Sequence, residues 1–309
     1  MERFVIERIL SSRLDLMKGL VYFLVALGLS THAAFALPSC SPIPEAHQIW
    51  TRSSLRWVFI GELHGSNETP AAFADLVCDA LADGKHVTVA LERPTSEQTA
   101  LDGVLKSKNL SEAKALLLRQ PGWQQEWDGR SSEAMLRLLL SLRDLRKAYP
   151  HLSVSAFDAP YTQGTKGARD QALGKTLLAL GEAKPHDLIL ILTGNLHGME
   201  APQFGYDLAA MYIPAAERLS LQVTDTGGES WAKSDEACGA SKGSVKSKGG
   251  AHPRGIFLDP TLAPFGKVDG VLSLGVPLTP SLPAVGDLSP PPPCRVKFLS
   301  QHPATPQPE

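Results

Sequence analysis

Residues 57–65 read WVFIGELHG. Trp57 to Ile60 is a short apolar run suited to a buried strand, and Gly61-Glu62-Leu63-His64-Gly65 follows it directly. The pattern returns further on, where the apolar run LILIL, Leu188 to Leu192, precedes Gly194-Asn195-Leu196-His197-Gly198. Both pentapeptides read G-x-L-H-G. The chain has only nine histidines, so composition does not explain the match. Fully apolar runs of this kind belong to strands buried on both faces of a parallel sheet. Glycines behind such strands let the backbone turn sharply and approach a ligand closely.

Outward from these two stretches, apolar runs alternate with helical patterns. Thr69 reads as an N-cap and Pro70 as a first helical residue. Phe73, Leu76, Val77, Ala80 and Leu81 then repeat at helical spacing, and Asp83-Gly84 ends the helix. His86 to Leu91 is the next strand, and Thr95 with Gln98 forms a capping-box pattern. Ser131 to Ala148 is a leucine-rich helix stopped by Pro150. Leu152 to Phe157 reads as strand, Arg169 to Leu180 as helix, and Leu219 to Val223 as a fifth strand. Such alternation implies an α/β fold, a mostly parallel sheet with helices on both faces.

That core is expected over residues 37–225. Residues 226–309 read as a loop-rich, Pro-rich C-terminal extension. It holds the Gly/Ser/Lys stretch Ala240–Gly250, short strand candidates at Gly255–Leu258 and Gly270–Leu274, and the Pro290–Pro293 run.

Residues 1–36 read as a secretory signal. Gly19 to Leu29 is eleven residues without a charge, too short to span a bilayer, and Ala34-Phe35-Ala36 supplies an A-x-A cleavage pattern. Met17-Lys18 opens a compact signal of its own, so translation is expected to start at Met17. Leu37-Pro38-Ser39-Cys40 competes as a lipobox, and membrane attachment is expected only if Cys40 is lipidated. The chain is therefore read as exported, periplasmic or outer-surface in a bacterium, where disulfides are permitted. Cys40, Cys78, Cys238 and Cys294 then allow three pairings, and Cys78 in an apolar run also reads as a buried thiol.

At 43% hydrophobic and 20% charged, the chain is neither disordered nor a multi-span membrane protein. Thirty basic and 32 acidic residues leave a net charge of −2, which gives no general attraction to nucleic acid. Partners are expected to be small-molecule or peptide substrates.

In open parallel sheets, ligands bind outside the carboxyl ends of the strands. The topology gathers Glu62, His64, Glu68, Glu92, Arg93, Asp158 and His197 at that rim, with Gly61 and Gly194 in the turns. Glu62, Glu68, Glu92 and Asp158 are the candidate catalytic carboxylates. Gly61, Gly194 and Arg93 are the candidate cofactor contacts. His64, His197 and Glu62 are the candidate metal ligands. Imidazole nitrogens and carboxylates suit a divalent ion, Zn, Mn, Co or Fe. A Glu–His pair also performs acid–base work without metal. His86, His151 and His186 read as structural. Gly122-Trp123 and Trp127-Asp128-Gly129-Arg130 read either as a lid over the rim or as an ordinary helix entry. H-E-x-x-H is absent, and Gly174-Lys175-Thr176 lacks the first glycine of a P-loop because position 169 is Arg.

FIGELHGSNE at 59–68, VALERP at 89–94, FDAP at 157–160 and LTGNLHGM at 192–199 together resemble one superfamily. It groups the ChaN-type haem-binding lipoproteins, the Tiki and TraB proteins and the erythromycin esterases. The resemblance covers roughly residues 55–225. Its Tiki members imply a metal-dependent peptidase using Glu62, His64 and His197, and its esterase members a hydrolase that activates water with His and Glu. Its ChaN members imply a non-catalytic haem carrier of iron uptake, for which no matched motif supplies ligands. The expectation is an exported metal-dependent hydrolase, with haem binding as the alternative.

Overall fold

The computed structural model describes residues 40–125, 128–233, 238–243 and 245–285. The signal segment, Trp127, the polyproline run and Cys294 lie outside the described residues.

Seven helices and nine strands are formed among the described residues. In chain order they are α1 (His47–Trp50), β1 (Trp57–Glu62), α2 (Glu68–Ala82), β2 (Val87–Pro94), α3 (Gln98–Lys106), α4 (Leu110–Leu118), α5 (Pro121–Gln125), α6 (Glu133–Ala148) and β3 (Ser153–Asp158). Then follow α7 (Ala168–Ala183), β4 (Leu188–Gly194), β5 (Arg218–Thr224), β6 (Ser230–Lys233), β7 (Cys238–Ser241), β8 (Gly255–Phe257) and β9 (Gly270–Ser273). The main sheet runs β3-β2-β4-β1-β5-β9-β8. It is parallel except at β8, which pairs antiparallel with β9, while β6 and β7 form a separate antiparallel pair. The α/β class and the mostly parallel sheet read from the sequence are both present. The sheet does not stop at residue 225, since β8 and β9 extend it from the later segment.

The apolar runs are continuous because both faces are covered. Val58 and Ile60 of β1 pack in one core with Phe73 and Leu76 of α2 and Leu138, Leu139 and Leu142 of α6. Trp57 and Phe59 point the other way, into a core with Leu173 and Leu177 of α7 and Ile189 and Ile191 of β4. Alternate residues of one strand thus feed two cores, as the period of two requires.

Strand order matters more for the site than the cores do. β1 and β4 lie side by side, with Glu62 in register with Gly194. The two G-x-L-H-G loops, far apart in sequence, therefore leave the sheet as neighbours. Gly65 takes a left-handed conformation, φ +91°, and a Cβ there would lie 2.0 Å from the Trp231 carbonyl oxygen. The Gly65 carbonyl accepts from the backbone amides of Trp231 and Ser281, each at 2.8 Å. The segment after residue 225 thus clasps the first histidine loop.

Helix starts differ from the sequence reading. Helix α2 begins at Glu68, and Ser66 Oγ, not Thr69, accepts the early amide, from Thr69 at 3.3 Å. No capping box forms at Thr95. A 3-10 turn, Thr95–Glu97, precedes α3, and the Gln98 amide instead holds the backbone of β3 at Val154 and Ala156. Helix α6 is capped by Ser132, whose hydroxyl accepts from the Met135 amide.

Cys40 and Cys78 form a disulfide across 38 residues of chain. Cys78 is therefore not a free buried thiol. The Cys40 sulfur that a lipid thioether would need is engaged. Closing a loop of this length stabilises the fold by roughly 4 kcal/mol on the chain-entropy scale. A non-reducing peptide map should join the Cys40 and Cys78 peptides. Changing both cysteines to serine should lower the unfolding free energy by up to about 4 kcal/mol. A Cys40 peptide carrying a lipid mass would contradict the bridge.

Candidate active site

The site is built on Glu92, at the carboxyl end of β2. The residue is 5% exposed, and four groups donate to its carboxylate. Thr193 Oγ1 donates to Oε2 at 2.7 Å and the Gly194 amide at 2.8 Å. Arg169 Nη2 reaches Oε1 at 2.6 Å and Arg130 Nη1 at 3.4 Å. Arg169 and Arg130 also meet on Asp158 Oδ2, at 2.7 and 3.0 Å. Asp128 holds Arg130 from its own turn, with Nε at 2.9 Å from Oδ2.

Both repeat histidines flank this carboxylate. His64 Nε2 lies 3.7 Å from Glu92 Oε2, and His197 Nε2 lies 3.8 Å from Oε1. Each ring is held from its far side. Glu62 Oε1 is 2.9 Å from His64 Nδ1, and Asp170 Oδ1 is 2.7 Å from His197 Nδ1. Gly194 leaves the space between them open, since a Cβ there would stand 3.2 Å from His64 Nε2 and 3.7 Å from Glu92 Oε2. Gly61 serves differently. The Asn195 side chain lies over it, with Oδ1 3.0 Å from where a Cβ would stand.

Electrostatics divide the three central groups. Burial alone would raise the Glu92 carboxyl, but His64, His197, Arg130 and Arg169 outweigh it and hold it well below the usual carboxylate range. Burial raises Glu62, and the His64 hydrogen bond and charge only partly offset this. Burial pulls the His64 imidazole down, yet the Glu62 hydrogen bond and the Glu92 and Glu62 charges win and raise it. Glu92 is thus held as an anion, while the Glu62 carboxyl and the His64 imidazole are both raised above their ordinary values.

The structure brings together Glu62, His64, Glu92, Asp158 and His197, with Gly61 and Gly194 beneath them. Two expected members are elsewhere. The Glu68 carboxylate is taken by Thr279, accepting from its amide at 2.8 Å and from its hydroxyl. Arg93 is fully buried, paired with Glu97 at 2.6 Å and laid over the Trp123 ring. It reaches the site only indirectly, by donating to the Arg130 carbonyl at 2.9 Å. It is a structural cation, because a side chain beyond Leu91 that points into the core needs a buried partner.

Sequence reasoning missed Arg169 and Asp170 altogether. They occupy the first turn of α7, the helix that follows β3, so the same rim rule that selected Asp158 would have found them. The 123–130 segment divides between its two readings. Trp123 is in the core, whereas Asp128 and Arg130 stand at the rim. Gly129, φ +93°, packs so closely that a Cβ would come within 2.3 Å of the Gly65 nitrogen.

The donor set does not suit a divalent ion. No group of three or more His, Cys, Asp or Glu able to hold a metal exists among the described residues. Arg169 Nη1 sits 2.9 Å from His197 Nε2, the nitrogen that a metal would need. Two guanidinium groups already neutralise Glu92 and Asp158, and a metal cation there would face both.

No family model matches the chain, and no curated protein matches its sequence. Solved structures match its fold. A succinoglycan biosynthesis protein aligns with TM-score 0.54 and 10% identity, over 74% of this chain and 90% of that one. Erythromycin esterase EreC in its open conformation aligns with TM-score 0.49 and 10% identity, over 62% and 77%. A Bacillus cereus protein aligns with TM-score 0.47 and 11% identity, over 75% and 91%. At these identities the likeness is one of fold.

Replacing Glu92 with Gln strips the arginines of their shared anion and should cost about 3 kcal/mol of stability. The sign of the pH effect follows from the depressed carboxyl. Its stabilisation is complete above the unfolded value of about 4.3 and is lost as pH falls through the folded value. Urea unfolding between pH 7 and pH 3 should therefore show an acid loss in the wild type that is smaller in E92Q. Equal acid losses in both would remove Glu92 as the organising charge.

Proposed function

We propose that the chain is a hydrolase of ester or amide bonds that activates water with the Glu62–His64 pair and uses no metal. The observation that carries this reading is the orientation of His64. Its Nδ1 is tied to Glu62 at 2.9 Å, so its Nε2 faces the convergence of charged groups. Its side chain is 21% exposed, against 10% for His197, so His64 is the imidazole within reach of an incoming substrate.

The chemistry follows from those placements. His64 Nε2 takes a proton from water as the water oxygen attacks the scissile carbonyl carbon. The carbonyl oxygen gains negative charge, and the guanidinium N–H groups of Arg130 and Arg169 are the donors nearby that stabilise it. His64 then gives the same proton to the departing oxygen or nitrogen. Glu62 stabilises the transient imidazolium and keeps the ring aligned. Glu92 and Asp158 hold the two arginines so that no reorganisation is needed during reaction.

Substrates are small esters or peptides. Export is part of the proposal, supported by the signal-like residues 19–36 and by the Cys40–Cys78 bridge, which suits an oxidising compartment. No observation favours the haem-carrier reading: Asp170 and Arg169 hold both nitrogens of His197, and Glu62 holds Nδ1 of His64.

His64→Ala should lower kcat/KM on a p-nitrophenyl ester or a peptide anilide at least a hundredfold while leaving Tm nearly unchanged. Because His64 is raised, the acid limb of the wild-type kcat/KM profile should lie above the ordinary imidazole value of about 6.5. A chelator should leave the rate unchanged. Activity that a chelator abolishes and zinc or manganese restores would overturn the metal-free mechanism.

A further inference from the structure

We infer that Asp170 is a positioning residue that fixes His197 as the Nδ1–H tautomer, and that His197 in turn aims Arg169 at the rim. The inference starts from a difference between the two repeats. In the first, the x of G-x-L-H-G is Glu62, which holds the histidine of its own loop. In the second, x is Asn195, whose side chain lies over Gly61 and forms no hydrogen bond among the described residues. His197 therefore takes its carboxylate from another element. That carboxylate is Asp170, 3% exposed, on the first turn of α7.

The two nitrogens of His197 decide the tautomer. Asp170 Oδ1, 2.7 Å from Nδ1, accepts. The Ala209 amide donates to the same oxygen at 3.1 Å, so Oδ1 is an acceptor on both sides. Nδ1 must then carry the proton. Arg169 Nη1, 2.9 Å from Nε2, can only donate, so Nε2 must be bare. Adjacent residues of one helical turn thus read opposite sides of one ring, and a single tautomer satisfies both.

The surroundings hold this arrangement from behind. The Ala210 amide donates to the His197 carbonyl at 2.9 Å, returning the 198–209 loop to the histidine it left. Gly167, φ +73°, precedes α7 and packs so tightly on Tyr206 that a Cβ would lie 2.8 Å from its ring. That contact sets where the helix begins, and so where Arg169 and Asp170 point. The chain of hydrogen bonds runs Ala209 amide, Asp170, His197, Arg169, and ends on Glu92 and Asp158. In this arrangement His197 is neither metal ligand nor base. It is the acceptor that orients the guanidinium. The tautomer assignment stands on geometry alone, whereas its catalytic meaning rests on the hydrolase reading above.

The test is a nitrogen-15 NMR spectrum of histidine-labelled protein, with His197 identified by its loss in His197→Gln. Wild type should show the Nδ1–H pattern. Asp170→Asn should lose or reverse it, and Asp170→Glu should keep it. On the p-nitrophenyl ester, Asp170→Asn should lower kcat about tenfold or more with KM and the His64 acid limb unchanged. A wild-type Nε2–H pattern overturns the proposal, and this spectrum decides even if Asp170→Asn does not fold. An unchanged pattern in Asp170→Asn also overturns it. If neither the ester nor the anilide is turned over, the hydrolase reading fails and the NMR result still judges Asp170.

Discussion

A buried carboxylate with four donors is the constraint around which this molecule is arranged. Glu92 is nearly removed from water and yet remains charged, because Thr193, the Gly194 amide, Arg169 and Arg130 all donate to it. An anion at such depth without partners would cost several kcal/mol. These partners come from three parts of the chain. Thr193 and Gly194 end β4, Arg169 opens α7, and Arg130 arrives from the segment before α6. Satisfying one charge therefore ties three connections of the sheet to a single point.

That tie explains why the two histidine loops behave as one site. The strand order places β1 beside β4, so the loops are neighbours before any side chain is considered. Both imidazoles then stand within 4 Å of Glu92. The two arginines make the cluster unsuited to a metal. What looks from composition like a ligand set is, in space, a network of carboxylates already matched by guanidinium groups. Its free capacity lies in the Glu62–His64 pair, where burial raises the carboxyl and, against burial, the Glu62 hydrogen bond and the Glu92 charge raise the imidazole.

Much of the fold was legible because its signals are local. Apolar runs such as Trp57–Ile60 and Leu188–Leu192 can only be central strands, and their alternation with helical patterns leaves few topologies. Glu62, His64, Glu92, Asp158 and His197 were legible for a related reason: each follows a strand, and strand ends share one rim. Glu68 and Arg93 obeyed the same rule and still went elsewhere. Glu68 sits one step into α2, where Thr279 was the nearer donor. Arg93 points below the rim, where Glu97 neutralises it. Proximity along the chain places a residue near the rim, but its side-chain direction depends on which partner is closest.

The sequence by itself determined the parallel sheet, the repeated loops and most of the charged residues at its edge. These follow from periodicity and from the steric freedom of glycine, both of which act over a few residues. Only the tertiary structure decided what those charges do. The pairing of Cys40 with Cys78, the clasp of residues 231 and 281 on Gly65, and the capture of His197 by Asp170 all join distant segments. Hydrogen bonds and ion pairs are matched in space and at short range, so a one-dimensional pattern cannot show which acceptor a given donor will meet.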